Sequence, residues 1–275
     1  MSNLKLSFPD IPARAVAVTV SEAFDEDETI YNSISGPRYT RSWLQATSAS
    51  NLLIDFALGA GVTSSSDHLI IAHADQWLDH PTYGDVTDIS VFSDSLSDYS
   101  TAATIYNDAS PDPTDLLGPD SEDYIATWSA ATARRYWRLF VSKPNTTFLA
   151  HSKIYLGTFY DPGIDCSRYT IDYIDRPPYL SRADAGTIII GRRERPRYRF
   201  TIAWDGVSDA LITTFSDSIL KIQHKHKGVF LYSTAANEIL DGHRLVHCDM
   251  TSARITGGGV ANWNRLECTF EEYSG

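Results

Sequence analysis

Cysteine is scarce in this chain: Cys166, Cys248 and Cys268 are the three in 275 residues, an odd number with no CxxC spacing. A disulfide framework and a structural zinc site are thereby excluded as organising devices. No apolar run approaches the roughly 20 residues a membrane-spanning helix needs. The opening Met1-Ser2-Asn3-Leu4-Lys5-Leu6-Ser7 lacks the apolar region and cleavage pattern of a signal peptide. Synthesis in a cytoplasm, with no membrane span, is therefore the expectation. Basic residues are few in the first part, where residues 1–160 carry 9 Lys and Arg against 20 Asp and Glu; residues 161–275 carry 14 against 15. So acidic a first half argues against nucleic acid as a partner, because Lys and Arg supply most of the grip on a phosphate backbone.

The motifs of common chemistries are missing too. There is no GxSxG elbow, no GxxxxGK[ST] loop, no HExxH and no GxGxxG after a strand. The glycine-rich Thr256-Gly257-Gly258-Gly259 lies between late strands instead of opening a helix, so it reads as a loop and not as a phosphate cradle. No catalytic residue, no cofactor and no metal are expected, and the chain is read as a non-enzyme.

What the chain does have is short alternating strands. In Ala133 to Ser142, ARRYWRLFVS, the set Trp137, Leu139 and Val141 alternates with Tyr136, Arg138 and Phe140, which predicts a half-buried antiparallel strand. Leu52, Ile54, Phe56 and Leu58 alternate in the same way and stop at Gly59-Ala60-Gly61. Short apolar runs follow at Asp67 to His73, Asp88 to Ser93 and Lys153 to Gly157. Such a series, separated by turn-rich loops, is the signature of a sandwich or jelly roll.

The order of these segments, a Trp-Leu pair followed by NLLIDFALG, HLIIAH, ISVFSD, RYWRLFVS and IYLG, resembles the discoidin-like, coagulation-factor C-type jelly roll over residues 1–158. That resemblance implies a galactose-binding-like β-sandwich whose loop tips bind carbohydrate or lipid in many members. For a carbohydrate-binding role the loop near Trp77, His80 and Tyr83 is the candidate ligand-facing surface, where exposed rings would stack on sugar faces; the other reading of the same residues is core.

A chain of this length can bury two ordinary cores, and Tyr160-Asp161-Pro162-Gly163 is the natural break. Residues 159–187, with Pro177-Pro178 and little periodicity, read as an extended connector, and residues 188–275 as a second domain. In that domain Tyr198, Phe200, Ile202 and Trp204 alternate with Arg197, Arg199, Thr201 and Ala203. A helix is predicted from a cap at Ser208 through Leu211, Ile212, Phe215, Ile219 and Ile222, ending in Lys and His before Gly228. Strands follow at Val229 to Tyr232, Arg244 to Met250 and Asn264 to Phe270. The expected fold is thus mainly β: an N-terminal β-sandwich, then an α+β domain in which an antiparallel sheet buries one helix.

The Arg-rich strand Arg192 to Phe200, the helix from Ser208, the VFLY strand and the closing LECTFEEY strand resemble the distal-tail or tail-tip proteins of long-tailed bacteriophages. The resemblance implies a structural virion protein, made in the host cytoplasm and located in the tail. It would form a homo-oligomeric ring that joins tail tube to tip or baseplate beside other tail proteins. The alternative is a carbohydrate-binding module that recognises a host surface glycan.

Several clusters carry two readings. Arg192, Arg193, Arg195, Arg197 and Arg199 suit a subunit interface with the acidic remainder of a neighbouring copy, or a solvated strand face. Asp85, Asp94 and Asp98 lie where a discoidin-like loop sometimes holds calcium, or form plain acidic turns. His224 and His226, and His243 and His247, lack a third ligand and read as solvated or packed side chains. Cys248 and Cys268 fall in phase with apolar neighbours and read as core.

Overall fold

The computed structural model describes residues 4–7, 10–20, 23–24, 42–45, 51–72, 74, 78, 86–119, 123–142, 148–151, 153–174, 180–182, 188–190, 197–220, 228–236, 238–257 and 263–272. Of residues 10, 13, 23–24, 42–45, 148–151, 180–182, 188–190 and 218 it describes the backbone alone. The chain divides into two compact units, Lys5–Tyr160 and Asp161–Gly275, the second taking in Met1–Leu4.

The N-terminal unit contains β1 (Lys5–Ser7), α1 (Asp10–Arg14), β2 (Ala15–Val20), β3 (Ala23–Phe24), β4 (Ser42–Gln45), β5 (Leu52–Leu58), β6 (His68–Ile71) and β7 (Asp88–Asp94). It continues with β8 (Ala103–Asp108), β9 (Leu116–Leu117), β10 (Asp123–Thr127), β11 (Tyr136–Ser142), β12 (Phe148–His151) and β13 (Ile154–Gly157). A five-stranded sheet runs β2-β5-β11-β7-β8, a four-stranded sheet runs β13-β6-β10-β9, and the small set β12-β4-β3 stands apart. The described pairings are antiparallel.

Period-two alternation decides which side chains enter the core. In β5 and β11 every second residue is buried, so Leu52, Ile54, Phe56 and Leu58 point inward with Trp137, Leu139 and Val141. They meet Leu69, Ile71, Tyr124, Ala126, Ile154 and Leu156 from the four-stranded sheet in one cluster, which makes the unit a β-sandwich. The opposite phase, Asp55 and Ala57 on β5 with Tyr136, Arg138 and Phe140 on β11, forms the outer face of the five-stranded sheet.

The C-terminal unit contains β14 (Arg168–Ile174), β15 (Leu180–Arg182), β16 (Ile188–Ile190), β17 (Arg197–Val207), α2 (Asp209–Phe215), β18 (Val229–Tyr232), β19 (Leu245–Gly257) and β20 (Asn264–Glu272). Its main sheet runs β18-β19-β20-β17-β14, and among the described residues β15 and β16 pair only with each other. Phe200, Ile202 and Trp204 of β17 are fully buried, as are Cys248 of β19, Cys268 and Phe270 of β20, and Phe215 of α2. The two cysteines are free thiols, and burial pushes that of Cys268 well up.

Two expectations need correction. Residues 168–174, read as part of an extended connector, form β14 and pair along their whole length with β17. Their alternation was hidden because an edge strand solvated on both faces shows little difference in polarity between them. The helix capped by Ser208, whose hydroxyl accepts from Leu211 N at 3.3 Å, keeps α geometry only to Phe215 and then widens into a π turn at Ser216–Leu220. Thr213 and Thr214 donate to the carbonyls of Asp209 and Ala210 at 2.9 and 3.0 Å, and such back-bonding perturbs the ladder. Residues 221–227, which include the Lys and His end of the predicted helix, lie outside the described residues.

Candidate functional site

The outer face of the five-stranded sheet carries a cleft of about 200 Å³, lined by Ala17 and Thr19 of β2, Asp55, Phe56 and Ala57 of β5, Tyr136 of β11, and Ser97 and Tyr99 from the β7–β8 loop. Each of these positions follows from local structure. Asp55 is the one charged residue in β5, and alternation sends it outward opposite Arg138 of β11. The guanidinium Nε and Nη2 donate to Asp55 Oδ1 and Oδ2 at 2.6 and 2.7 Å, a two-point contact in which both side chains are about one-quarter exposed. The hydrogen bond to Asp55 raises the Arg138 pKa further.

Tyr99 closes the cleft from the loop. It adopts φ +54°, a left-handed conformation that costs a bulky residue roughly 1–2 kcal/mol. Two contacts hold it there: its hydroxyl donates to Trp137 O at 2.7 Å, and the Arg138 guanidinium lies over its ring at 4.0 Å. Burial pushes the phenol pKa well up, with the charges of Asp55 and Asp94 adding to it.

Asp94 shapes the loop. Its Oδ1 accepts from Ser95 N, Leu96 N and Thr101 Oγ1 at 2.6, 3.1 and 2.7 Å, and its Oδ2 accepts from Thr101 N at 2.9 Å. Burial alone would raise this carboxyl; the hydrogen bonds from Thr101, Leu96 and Ser95 outweigh it and hold the pKa at about 2. Asp94 thus organises its own backbone, and among the described residues no group of His, Cys, Asp and Glu is arranged to hold a metal ion. Asp98 turns its carboxylate to Ser100 N at 3.0 Å in the same loop, and Asp85 lies outside the described residues.

Two exposed apolar side chains stand near the cleft. Val16, 71% exposed, is the extra residue of a bulge in the β2–β5 pairing, between Ala15 opposite Leu58 and Ala17 opposite Ala57. Leu96, 48% exposed, directly precedes the cleft residue Ser97. Apolar and aromatic walls with a few placed polar groups are the general make-up of a small-ligand site.

A second constellation, also within this unit, has the hydrogen-bond order of a nucleophile, base and acid. Ser7 Oγ lies 2.5 Å from His68 Nε2, and His68 Nδ1 lies 2.8 Å from Asp67 Oδ1. Ser7 and His68 are fully buried, the Phe159 ring stacks on the imidazole at 3.8 Å, and Asp67 Oδ1 also accepts from Phe159 N at 3.0 Å. A substrate would have to displace that ring. As it stands, the trio clamps β1 and the segment after β13 onto β6.

The loop residues Trp77, His80 and Tyr83 lie outside the described residues, as do Arg192, Arg193 and Arg195. Arg197 and Arg199 are half-buried on β17, and Arg199 donates to Glu271 Oε1 of the same chain from Nε and Nη2 at 2.9 and 2.6 Å. His224 and His226 also lie outside the described residues; His247 is buried and stacks on Phe230 at 4.0 Å, a packing role. Sequence reasoning missed Asp55, Tyr99 and Tyr136 as one group, although Asp55 and Arg138 are single charges in otherwise apolar or aromatic strands, and that signal marks a cross-strand pair once the strands are known to be neighbours.

No family model matches this chain, and no curated protein sequence matches it. Solved structures that are similar to it include chitosan-binding module 1 from a chitosanase/glucanase of Paenibacillus sp. IK-5, at 11% identity and a TM-score of 0.40, covering 54% of this chain and 98% of that one. The family 32 carbohydrate-binding module of Clostridium perfringens NanJ, in complex with galactose, is 8% identical with a TM-score of 0.40, over 55% and 98% of the two chains. The lectin domain of lectinolysin complexed with Lewis B antigen is 10% identical with a TM-score of 0.38, over 54% and 96%.

Proposed function

We propose that the N-terminal unit is a non-catalytic glycan-binding module and that the cleft beside Asp55 seats one sugar ring. The observation that carries this reading is the convergence of Tyr136, Asp55, Ser97 and Thr19 in a space of about 200 Å³, held open by a loop locked through Asp94 and a strained Tyr99. Backbone strain retained at a surface concavity, where packing alone would not require it, is a mark of a preorganised site. Tyr136 offers an apolar ring, the hydroxyls offer donors and acceptors, and Asp55 accepts from sugar hydroxyls. The test is a glycan array with the full chain, followed by titration of any hit against Tyr136→Ala. Binding that falls at least about tenfold in the variant, with unfolding unchanged, supports the cleft. An array with no binder removes the reading, and binding untouched by the substitution moves the site elsewhere.

A second reading, a structural subunit of a phage tail that assembles with its own copies and with other tail proteins, is favoured by the C-terminal unit. There β14 is solvated along most of its length, with Tyr169 and Tyr173 39% and 60% exposed. Electron microscopy of the native particle tests it: labelled antibody found on the tail supports it, and a tail without the protein removes it.

A further inference from the structure

We infer that β14 is a docking edge for a second copy of this chain, joined antiparallel about a two-fold axis that passes beside Thr170. This holds whichever of the two functions the protein serves.

β14 is the last strand of its sheet, paired with β17 on one side and with no described strand on the other. A bare edge presents a row of backbone donors and acceptors ready to extend the sheet. Tyr198 N of β17 donates away from β14, to Glu272 Oε2 of β20 at 3.0 Å. Tyr173, directly opposite Tyr198, therefore sits at a position where the β14–β17 ladder makes no bond, and its own N–H and C=O face the open edge. By period two, Ile171 and Tyr169 do the same.

The side chains of these residues lie in the same row as the core. Tyr169, Ile171 and Tyr173 pair with Ile202, Phe200 and Tyr198, of which Ile202 and Phe200 are fully buried, yet Tyr169 and Tyr173 remain exposed and Ile171 is half-buried. The core row thus runs out to the edge and ends largely exposed there, Tyr173 keeping a hydrogen bond from its hydroxyl to Asp241 Oδ2 at 3.3 Å. Arg168, Thr170 and Asp172 occupy the other face, all exposed, and Arg168 and Asp172 have no ion-pair partner among the described residues.

Charge selects the occupant and the register. If two β14 strands run antiparallel with Thr170 opposite Thr170 of the copy, Arg168 of each faces Asp172 of the other. Tyr169 faces Ile171, and that pair exchanges both backbone hydrogen bonds because both residues point outward. A shift to Ile171 opposite itself would set Arg168 against Ile174 and Thr170 against Asp172. Placing Asp172 opposite itself would juxtapose like charges. Only the Thr170-centred register satisfies hydrogen-bond phase, both charges and the apolar row together, and it is isologous, so it closes on two chains.

The test measures the mass of the full chain across concentrations by sedimentation for the wild type, Arg168→Asp, Asp172→Arg and the double charge swap. A dimer is expected for the wild type, with a dissociation constant about tenfold higher or more in each single variant, where like charges oppose across the axis, and restored in the double swap. Thermal unfolding checks that the variants fold, which their exposed positions favour. A wild type that stays monomeric at every concentration, single variants that associate as tightly as the wild type, or a double swap that fails to recover would each overturn the inference.

Discussion

Replacing Arg138 by Met keeps the aliphatic stem over the sheet and deletes the guanidinium. The change removes both hydrogen bonds to Asp55, at 2.6 and 2.7 Å, and the cation packed 4.0 Å from the centre of the Tyr99 ring. A fully exposed ion pair contributes about 0–1 kcal/mol, and breaking a buried one costs about 3–5 kcal/mol. With both side chains about one-quarter exposed, this pair falls between those limits, near 2 kcal/mol by interpolation. Loss of the cation–π contact adds roughly 0.5–1 kcal/mol. The single variant should therefore be less stable by about 2–3 kcal/mol, and at a urea slope of roughly 2 kcal/mol/M its midpoint should fall by about 1 M.

Hydrogen exchange at increasing urea is the suitable assay, because it assigns the loss to β5, β7 and β11 instead of to the whole chain. The cycle is completed by Asp55→Asn and the double variant, with an expected coupling of about 1–2 kcal/mol. Glycan affinity should fall as well although Arg138 does not line the cleft, since Tyr99 loses its support. Arg138 is a positioning residue in this account, and the split between a stability change and an affinity change distinguishes that role from contact. A coupling below about 0.3 kcal/mol, or a midpoint unchanged in Arg138→Met, would refute the reasoning that the pair is desolvated enough to matter.

Two further outcomes follow from the same unit. Asp94 has a folded pKa of about 2 against an ordinary 3.8, so its contribution is fully present above the ordinary value and is lost as pH falls toward 2. Asp94→Asn, which keeps the shape and drops the charge, should flatten the decline of stability between about pH 4 and pH 2, measured by urea midpoints across that range; a decline as steep as the wild type's would contradict the assignment. Ser7→Ala takes one hydrogen-bond partner from fully buried His68 and should cost about 1–3 kcal/mol, with no effect on glycan binding, by thermal unfolding and titration. An esterase signal in the wild type that disappears in Ser7→Ala would overturn the reading of this trio as a clamp.

The alternation in residues 52–58 and 136–142 was enough to foresee the sandwich, because burying one face of a strand writes a period of two directly into its composition. The same logic foresaw β17 and β20, whose inward residues include Phe200, Ile202, Trp204, Leu266 and Phe270. It failed at β14, where Tyr169 and Tyr173 stay exposed, Ile171 is only half-buried, and polarity no longer separates the two sides. The cleft was illegible for a different reason. It joins residues 17 and 19, 55–57, 97 and 99, and 136, and their proximity depends on strand order and on a loop conformation set by one carboxylate. Neither leaves a local pattern: Asp94 reads as one more acid in a chain with many, and Tyr99 as one more aromatic, until φ +54° and the bond to Trp137 O show that the surrounding structure holds it in place. Strand faces are written residue by residue, whereas a site assembled across four segments exists only in the packed sheet, and the exposed edge of β14 belongs with the second kind.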